Sequence, residues 1–395
     1  MTLAALACMA LLPLLAPAAA LLLLTVAAVR AAQRADPVPQ TGARPRVAVL
    51  VPAHDESVHL LPTIECLRRE LAPGDRLLVV ADNCSDDTAA LARAAGVEVI
   101  ERRDTTRRGK GYALAYGVEH LRAAPPDVVL VVDADCELSP GAVAAACGAC
   151  HASGHPVQML DLMAAPAGAG LRLRVLEFAL RMKNLVRPLG SFRLGNACHL
   201  MGTGMALPWT LIASAELATG HVAEDMQLGI ELTLAGHAPR FFAGARVSSR
   251  FADNHGTVRT QKTRWEHGHL AAMSLQLPAL MAAALRRRER ACAVLALDLM
   301  VPPLALYVLV LGGTLLALAL ASRVWPALIP ATLLALVAMA GVALAVGLGW
   351  MRFGRDLLTP RELLFLPWYA LWKLPVYLAY FVGRRSGWVR TARTT

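Results

Sequence analysis

Charge is scarce in this chain. Only 17% of its 395 residues are Asp, Glu, Lys or Arg, against 56% hydrophobic ones, a balance too apolar for an ordinary soluble protein and one that predicts membrane segments. Lysine is scarcer still: of 39 basic residues only Lys110, Lys183, Lys262 and Lys373 are lysine. The formal charge of +10 is therefore carried by arginine, much of it beside apolar runs, where it meets anionic lipid; nucleic-acid binding is not expected. The eight cysteines form no disulfide framework, which fits a reducing cytoplasm. The stretch CGACH, Cys147 to His151, has the spacing of c-type haem attachment. It lies on a helical stretch of an expected cytoplasmic domain, however, and a zinc site would want a second ligand pair where only His155 is near. Packing cysteines are expected there. Internal repeats are absent, and so are low-complexity linkers apart from the proline-bearing tether at residues 34–46.

Met1 to Val29 contains no charged side chain and is long enough to cross a bilayer core. Basic residues follow it rather than precede it (Arg30, Arg34, Arg44, Arg46), so an uncleaved anchor with its N-terminus outside is expected rather than a signal peptide. Two further apolar runs, Ala291 to Ala321 and Val324 to Trp350, are separated only by Ser322 and Arg323 and predict a transmembrane hairpin. Arginines at 286–288 and 290 before it and at 352, 355 and 361 after it place both flanks in the cytoplasm. A last run, Leu363 to Gly383, is rich in Trp and Tyr and broken by Pro367 and Pro375. It is expected to lie in the membrane interface ahead of a basic tail. The expected organisation is an anchor at 1–30, a linker at 31–45, a cytoplasmic domain at 46–290 ending in an interfacial helix, the hairpin at 291–350, and an interfacial helix with tail at 351–395.

Between the membrane segments the pattern changes to short apolar strands alternating with helices. RVAVLVPA, RLLVVAD, VEVIER and DVVLVVDAD read as strands; Leu60 to Leu71, Asp86 to Ala95 and Gly109 to Leu121 read as helices. Such alternation predicts an α/β domain with a doubly wound, mostly parallel sheet covered on both faces. Each strand then runs into polar groups at the end where open α/β sheets bind ligands. Asp55 and Glu56 follow the first, Asp82 ends the second, and Lys110 stands between two glycines at a helix start, where backbone amides and an ammonium suit a diphosphate. Asp133 and Asp135 end the fourth strand, on one side of it if the alternation continues. Two such acids repel unless something positive sits between them, for which a divalent cation is the candidate. An isolated D-x-D is more often a pair of solvated acids, and Glu224–Asp225 alone would pass as helix N-terminal acids.

Together, VAVLVPAHDES, VVADNCSDDT, GKGYAL, VVDADCEL, GTGMAL, AEDMQLGIELTLAGH and QKTRW occur in the order found in membrane-integrated family 2 glycosyltransferases. The chain resembles that group, which includes cellulose, chitin-oligosaccharide and hyaluronan synthases and ceramide glucosyltransferases. The resemblance covers residues 46 to about 270 and the flanking membrane helices. It implies a GT-A-type fold, with Glu56 and Asp82 holding the nucleoside, Lys110 near the diphosphate or base, and Asp133 on the nucleotide. It also implies Asp135 on Mg²⁺ or Mn²⁺, Asp225 as general base beside Glu224, and Gln261, Arg264 and Trp265 closing over diphosphate and acceptor. Two positions depart from the family pattern: Ala81 precedes Asp82 where a second acid is frequent, and Ala223 stands where Thr is frequent.

The expected activity is inverting transfer of a sugar from a nucleoside diphosphate, with UDP-sugar first, to a lipid-linked acceptor in bacterial surface polysaccharide or glycolipid assembly. The expected location is the inner membrane with the catalytic domain in the cytoplasm. One helix before the domain and one hairpin after it leave little for a wide polymer channel, which favours one or a few additions. A processive polysaccharide synthase is the alternative, and a non-catalytic nucleotide-binding scaffold is another. Asp298, inside an apolar run, is a functional candidate by default.

Overall fold

The computed structural model describes residues 3–31, 44–220, 223–251 and 255–381, with the side chains of 255–262 and 379–381 outside the description. The chain forms two compact units: a sheet unit built from 35–166 and 196–268, and a helical unit built from 1–34, 167–195 and 269–386.

The sheet unit contains eight strands: β1 (Val47–Ala53), β2 (Arg76–Asp82), β3 (Glu98–Arg102), β4 (Val128–Val131), β5 (Glu137–Leu138), β6 (Val157–Ala164), β7 (Met205–Pro208) and β8 (Arg240–Arg250). Their order is β3-β2-β1-β4-β7-β6-β8-β5. The first four are mutually parallel. β7 runs against both β4 and β6, β6 and β8 are parallel, and β5 runs against β8. The mostly parallel, two-sided sheet expected from the apolar runs is what the chain forms. Alternation along β1 divides its side chains between two cores. Val47, Val49 and Val51 pack with Leu60, Ile64 and Leu67 of the helix Leu60–Glu70, whereas Ala48 and Leu50 pack with Leu114, Val118 and Leu121 of the helix Lys110–Leu121. Cys147 and Cys150 are fully buried in the first core, and burial pushes both thiols up. They pack, as expected.

The fourth strand is shorter than its sequence suggests. Its ladder ends at Val131, paired with Leu50 on one side and Met205 on the other. Asp133 and Asp135 lie beyond it, with a turn at Ala134 and Asp135, so strand alternation does not set their directions. The reason is local: the Asp133 carbonyl accepts the Cys136 N–H at 3.2 Å, folding the chain back on itself.

Residues 167–195 leave the sheet unit altogether, which departs from the continuous 46–290 domain expected. This excursion comprises the helix Leu171–Arg181, a π-helical turn Met182–Val186 and the helix Arg187–Gly195. It packs within the helical unit by close backbone approach: a Cβ on Gly190 would stand 2.1 Å from the Leu24 carbonyl oxygen. Arg187 and Asp298, both more than nine-tenths buried, form an ion pair with Nε 2.6 Å from Oδ1, and Nη2 also donates to the Asp298 carbonyl at 2.6 Å. Arg174 and Arg181 fasten the excursion to Glu362 and Asp356.

Among the described residues, four helices are long and apolar enough to cross a membrane by length and composition: Leu12–Ala31, Thr263–Arg287, Leu304–Ala321 and Pro326–Phe353. The second was expected only as an interfacial end to the domain; it is the apolar part of a 33-residue helix, His255–Arg287. The expected run from Ala291 is interrupted between the helices Arg290–Leu299 and Leu304–Ala321, at Pro302 and Pro303. The run from Leu363 is divided into the short helices Leu366–Trp372 and Leu374–Phe381, each too short to span. The basic tail and most of the tether lie outside the described residues.

Removing one partner of a buried ion pair strands the other charge, at about 3–5 kcal/mol. Asp298→Ala is therefore expected to lower the thermal midpoint of the detergent-solubilised protein markedly. The apolar double replacement Arg187→Met with Asp298→Leu should recover most of the loss in the same melting experiment.

Candidate active site

The loops leaving β1 and β2 are stitched together. Asp55, at φ 53°, accepts the backbone N–H groups of Ser85 at 2.6 Å and Asp86 at 3.2 Å, and the Ser85 hydroxyl at 3.1 Å. The Glu56 N–H donates to the Thr88 hydroxyl at 2.8 Å, and His54 Nδ1 lies 2.6 Å from the Asp82 carbonyl. Asp82 is itself buried, and its Oδ1 accepts from Arg102 Nη1 at 2.6 Å and from the Asn83 side chain at 3.0 Å. Arg102 also donates to the Arg107 carbonyl at 2.7 Å, and its guanidinium lies 5.4 Å from the Tyr112 ring centroid. Asp82 and Glu56 thus stand on one rim, with the Asp82 charge already met by a cation.

One of the paired acids, Asp133, meets Lys110. Its ammonium ion-pairs with Asp133 and donates to the Gly202 carbonyl at 2.8 Å. Gly109 before it, at φ 136°, needs a conformation that L side chains rarely adopt. Gly111 after it lies so close to the loop below that a Cβ would stand 2.4 Å from the Leu217 carbonyl oxygen. The two glycines therefore seat Lys110 against neighbouring backbone, and its ammonium points to a carboxylate of the chain itself. Asp133 is held from the other side, its N–H donating to the Thr203 hydroxyl at 3.1 Å.

Glu224 and Asp225 open the helix Glu224–Leu234. A Cβ on Gly202 would stand 3.2 Å from Asp225 Oδ2 and 3.6 Å from Lys110 Nζ, so carboxylate and ammonium flank the same glycine. Lys110, Glu224 and Asp225 line one cleft with Glu216, Thr219 and Gln227. The electrostatics follow from this crowding. Burial and the charge of Asp225 push Glu224 up to about 7, with Lys110 and Arg264 pulling the other way. Burial raises Asp133 above the usual carboxylate range even though Lys110 opposes it, and Asp135 and Asp225 add to the rise. Burial alone would lower Lys110, but Asp133, Glu224 and Asp225 outweigh it and hold the ammonium above its ordinary value. Among the described residues, Lys110 with Arg264 nearby stands among several acids. Hard carboxylate oxygens suit Mg²⁺ or Mn²⁺, with Asp135, half-exposed beside Asp133, in reach of solvent.

Arg264 and Trp265 are half-buried on the helix His255–Arg287, with Arg264 near enough to act on Glu224. The side chain of Gln261 lies outside the described residues, as does His221. The structure thus gathers Lys110, Asp133, Glu224 and Asp225, with Asp135 and Arg264 within electrostatic reach, and places Glu56 and Asp82 on the neighbouring rim. Sequence reading passed over Arg102 and Thr203. Arg102 is one of two consecutive arginines at the end of a strand, and nothing local separates it from the exposed Arg103; Thr203 stood in the GTGMAL stretch without a role.

The fold is thus an α/β sheet with an acid-rich cleft beside its parallel strands. Residues 45–268 match the family described as glycosyltransferase like family 2, and the chain belongs to that family. The chain is 26% identical over 235 residues to the probable glycosyltransferase YdaM of Bacillus subtilis (strain 168), covering 57% of this chain and 55% of that protein. It thus spans about half the length of this curated relative. Its fold is similar to that of the mannosyltransferase PcManGT from Pyrobaculum calidifontis, solved in complex with GDP-Man and Mn²⁺. The TM-score is 0.53 at 17% identity, over 87% of this chain and 98% of that one.

The raised Glu224 pKa has a stability consequence. A carboxyl that holds its proton more tightly when folded costs stability as pH climbs from its ordinary value of 4.5 to its folded value of about 7. Glu224→Gln lacks that cost. With divalent cations chelated, the variant should match the wild type below pH 4.5 and exceed it at pH 8. Thermal melts across that pH range measure the difference.

Proposed function

We propose that this chain is an inverting glycosyltransferase that moves a sugar from a nucleoside diphosphate to a lipid-linked acceptor. The observation that carries the reading is the Lys110–Asp133 pair seated beside Glu224 and Asp225 in a family 2 domain. Four helices long and apolar enough for a bilayer support the membrane-bound acceptor. The ligands of the similar mannosyltransferase support a nucleotide-sugar donor and a divalent cation. We take a UDP-sugar as donor, with GDP-mannose as the alternative that the same structure favours.

In this reading Glu56 and Asp82 hold the nucleoside, Asp133 contacts the nucleotide, and Asp135 holds Mg²⁺ or Mn²⁺. The cation, when bound, stabilises negative charge on the departing diphosphate. The rest falls to the chain's own side chains. Asp225, beside the N-terminal amides of its helix, takes the proton of the acceptor hydroxyl, a poor nucleophile at neutral pH. Glu224, whose pKa is raised by burial and by Asp225, holds its proton more tightly and so keeps a second full negative charge off the same spot. Arg264 offers a fixed guanidinium to the leaving phosphate, and Gln261 and Trp265 close over diphosphate and acceptor. Displacement from the face opposite the leaving group inverts the anomeric centre. The location that goes with this reading is a bacterial inner membrane, with the sheet unit in the cytoplasm and one or a few sugars added per acceptor.

The test uses the purified full chain in lipid nanodiscs with Mn²⁺, a panel of UDP- and GDP-sugars, and release of nucleoside diphosphate as the signal. One donor should be turned over well above the rest. Asp225→Asn should lower that turnover by about 10²–10⁴-fold while nucleotide binding persists, and Asp135→Asn should weaken binding of nucleotide and Mn²⁺ together. Turnover unchanged in Asp225→Asn would refute the base assignment, and silence of the wild type with every donor would refute the activity.

A further inference from the structure

Gln158 is a polar residue in the middle of the sheet, on β6 between Met205 of β7 and Phe241 of β8. It is wholly buried, with 0% exposure. A buried amide left without partners costs about 1–3 kcal/mol, so its presence where apolar residues belong calls for a use. Two of its three side-chain hydrogen bonds reach one turn. Nε2 donates to the carbonyls of Thr203 at 2.8 Å and Met159 at 2.9 Å, and Oε1 accepts the Met201 N–H at 2.8 Å. The Met159 N–H adds a bond to the Gly204 carbonyl at 2.9 Å.

The turn so held, Met201 to Gly204, cannot be held by a ladder. Gly202 and Gly204 sit at φ 92° and 64°, and a Cβ on Gly204 would stand 2.7 Å from Val247 Cγ1. Yet three parts of the site lean on this turn. The Gly202 carbonyl receives the Lys110 ammonium, the Thr203 hydroxyl receives the Asp133 N–H, and the Asp225 carboxylate packs on Gly202. They come from three different elements, and the turn is common to all of them.

We propose that Gln158 is a positioning residue for this site: by fixing the Met201–Gly204 turn it sets where Lys110, Asp133 and Asp225 stand relative to one another. It touches neither donor nor acceptor. The proposal rests on the glycosyltransferase reading for its kinetic consequence and on the geometry alone for its structural one, and the experiment separates the two.

Gln158→Met keeps the volume and loses every hydrogen bond; Gln158→Glu keeps the acceptor for Met201 and loses the donors. Both are assayed for kcat with the donor that the wild type accepts, alone and combined with Thr203→Val, and for amide hydrogen exchange at Met201 and Asp133. Misplacement of reacting groups by about an ångström costs on the order of 10²-fold, and a loss of roughly that size in kcat is expected for Gln158→Met, with a smaller one for Gln158→Glu. Because both positions act through one turn, the double variant should lose much less than the product of the single losses. Exchange should accelerate at Met201 and Asp133 and not along β1 and β2. Losses that multiply, or exchange that rises evenly across the sheet, would show a merely structural glutamine and overturn the proposal. If Gln158→Met does not fold, Gln158→Glu carries the same comparisons. If the wild type turns over no donor, the glycosyltransferase reading falls, and local against uniform exchange still decides the role of Gln158.

Discussion

Everything at the carboxyl edge of the sheet is arranged around one ammonium group. Lys110 meets Asp133 and the Gly202 carbonyl and lies close to Glu224 and Asp225, so it is the internal cation that allows four elements to bring acids and dipoles together. Without it, burial and mutual repulsion would drive protons onto the carboxylates or drive the loops apart. Its placement is bought with glycine: Gly109 for an unusual φ, Gly111 for contact with the Leu217 carbonyl, Gly202 for room beside Asp225.

A second layer supports the first through neutral or internally balanced contacts. Asp82 is met by Arg102, Asp55 by backbone amides of the next loop, and the Met201–Gly204 turn by Gln158. Each places a buried polar group opposite a defined partner, which fixes geometry more than it adds stability. The β1 and β2 exits therefore form a rigid rim, and the acids that face the cleft are oriented from behind.

The strands β1 to β4 and their helices were legible because burial on both faces leaves continuous apolar runs, and caps and glycines punctuate them. The acids of the candidate site stood out in the sequence because they recur at successive strand and helix ends in one order, although each alone passes for a solvated acid or a helix N-terminal charge. Two kinds of feature were not legible. Arg102 and Gln158 act through contacts 20 to 45 residues away in sequence, and no local period marks such a partner. The excursion at 167–195 carries an amphipathic pattern that fits either unit, and only Gly190 against Leu24 and Arg187 against Asp298 show which one it joins. The turn after Val131 also escaped, because a strand pattern continues through Val132 and Asp133 after the hydrogen-bond ladder has ended.

That excursion has a bearing on how the chain is made. β6 precedes it and its neighbours β7 and β8 follow it, so the sheet is completed only after the chain has passed into the helical unit and come back. When the helix Arg187–Gly195 emerges from the ribosome, Leu24, on which Gly190 packs, has already been synthesised. Asp298, the carboxylate for Arg187, is 111 residues away. The excursion can therefore dock on the helix Leu12–Ala31 early, but the carboxylate that meets its buried cation is made late. Synthesis order thereby ties the closing of the sheet and the assembly of the helical unit into one sequence of events.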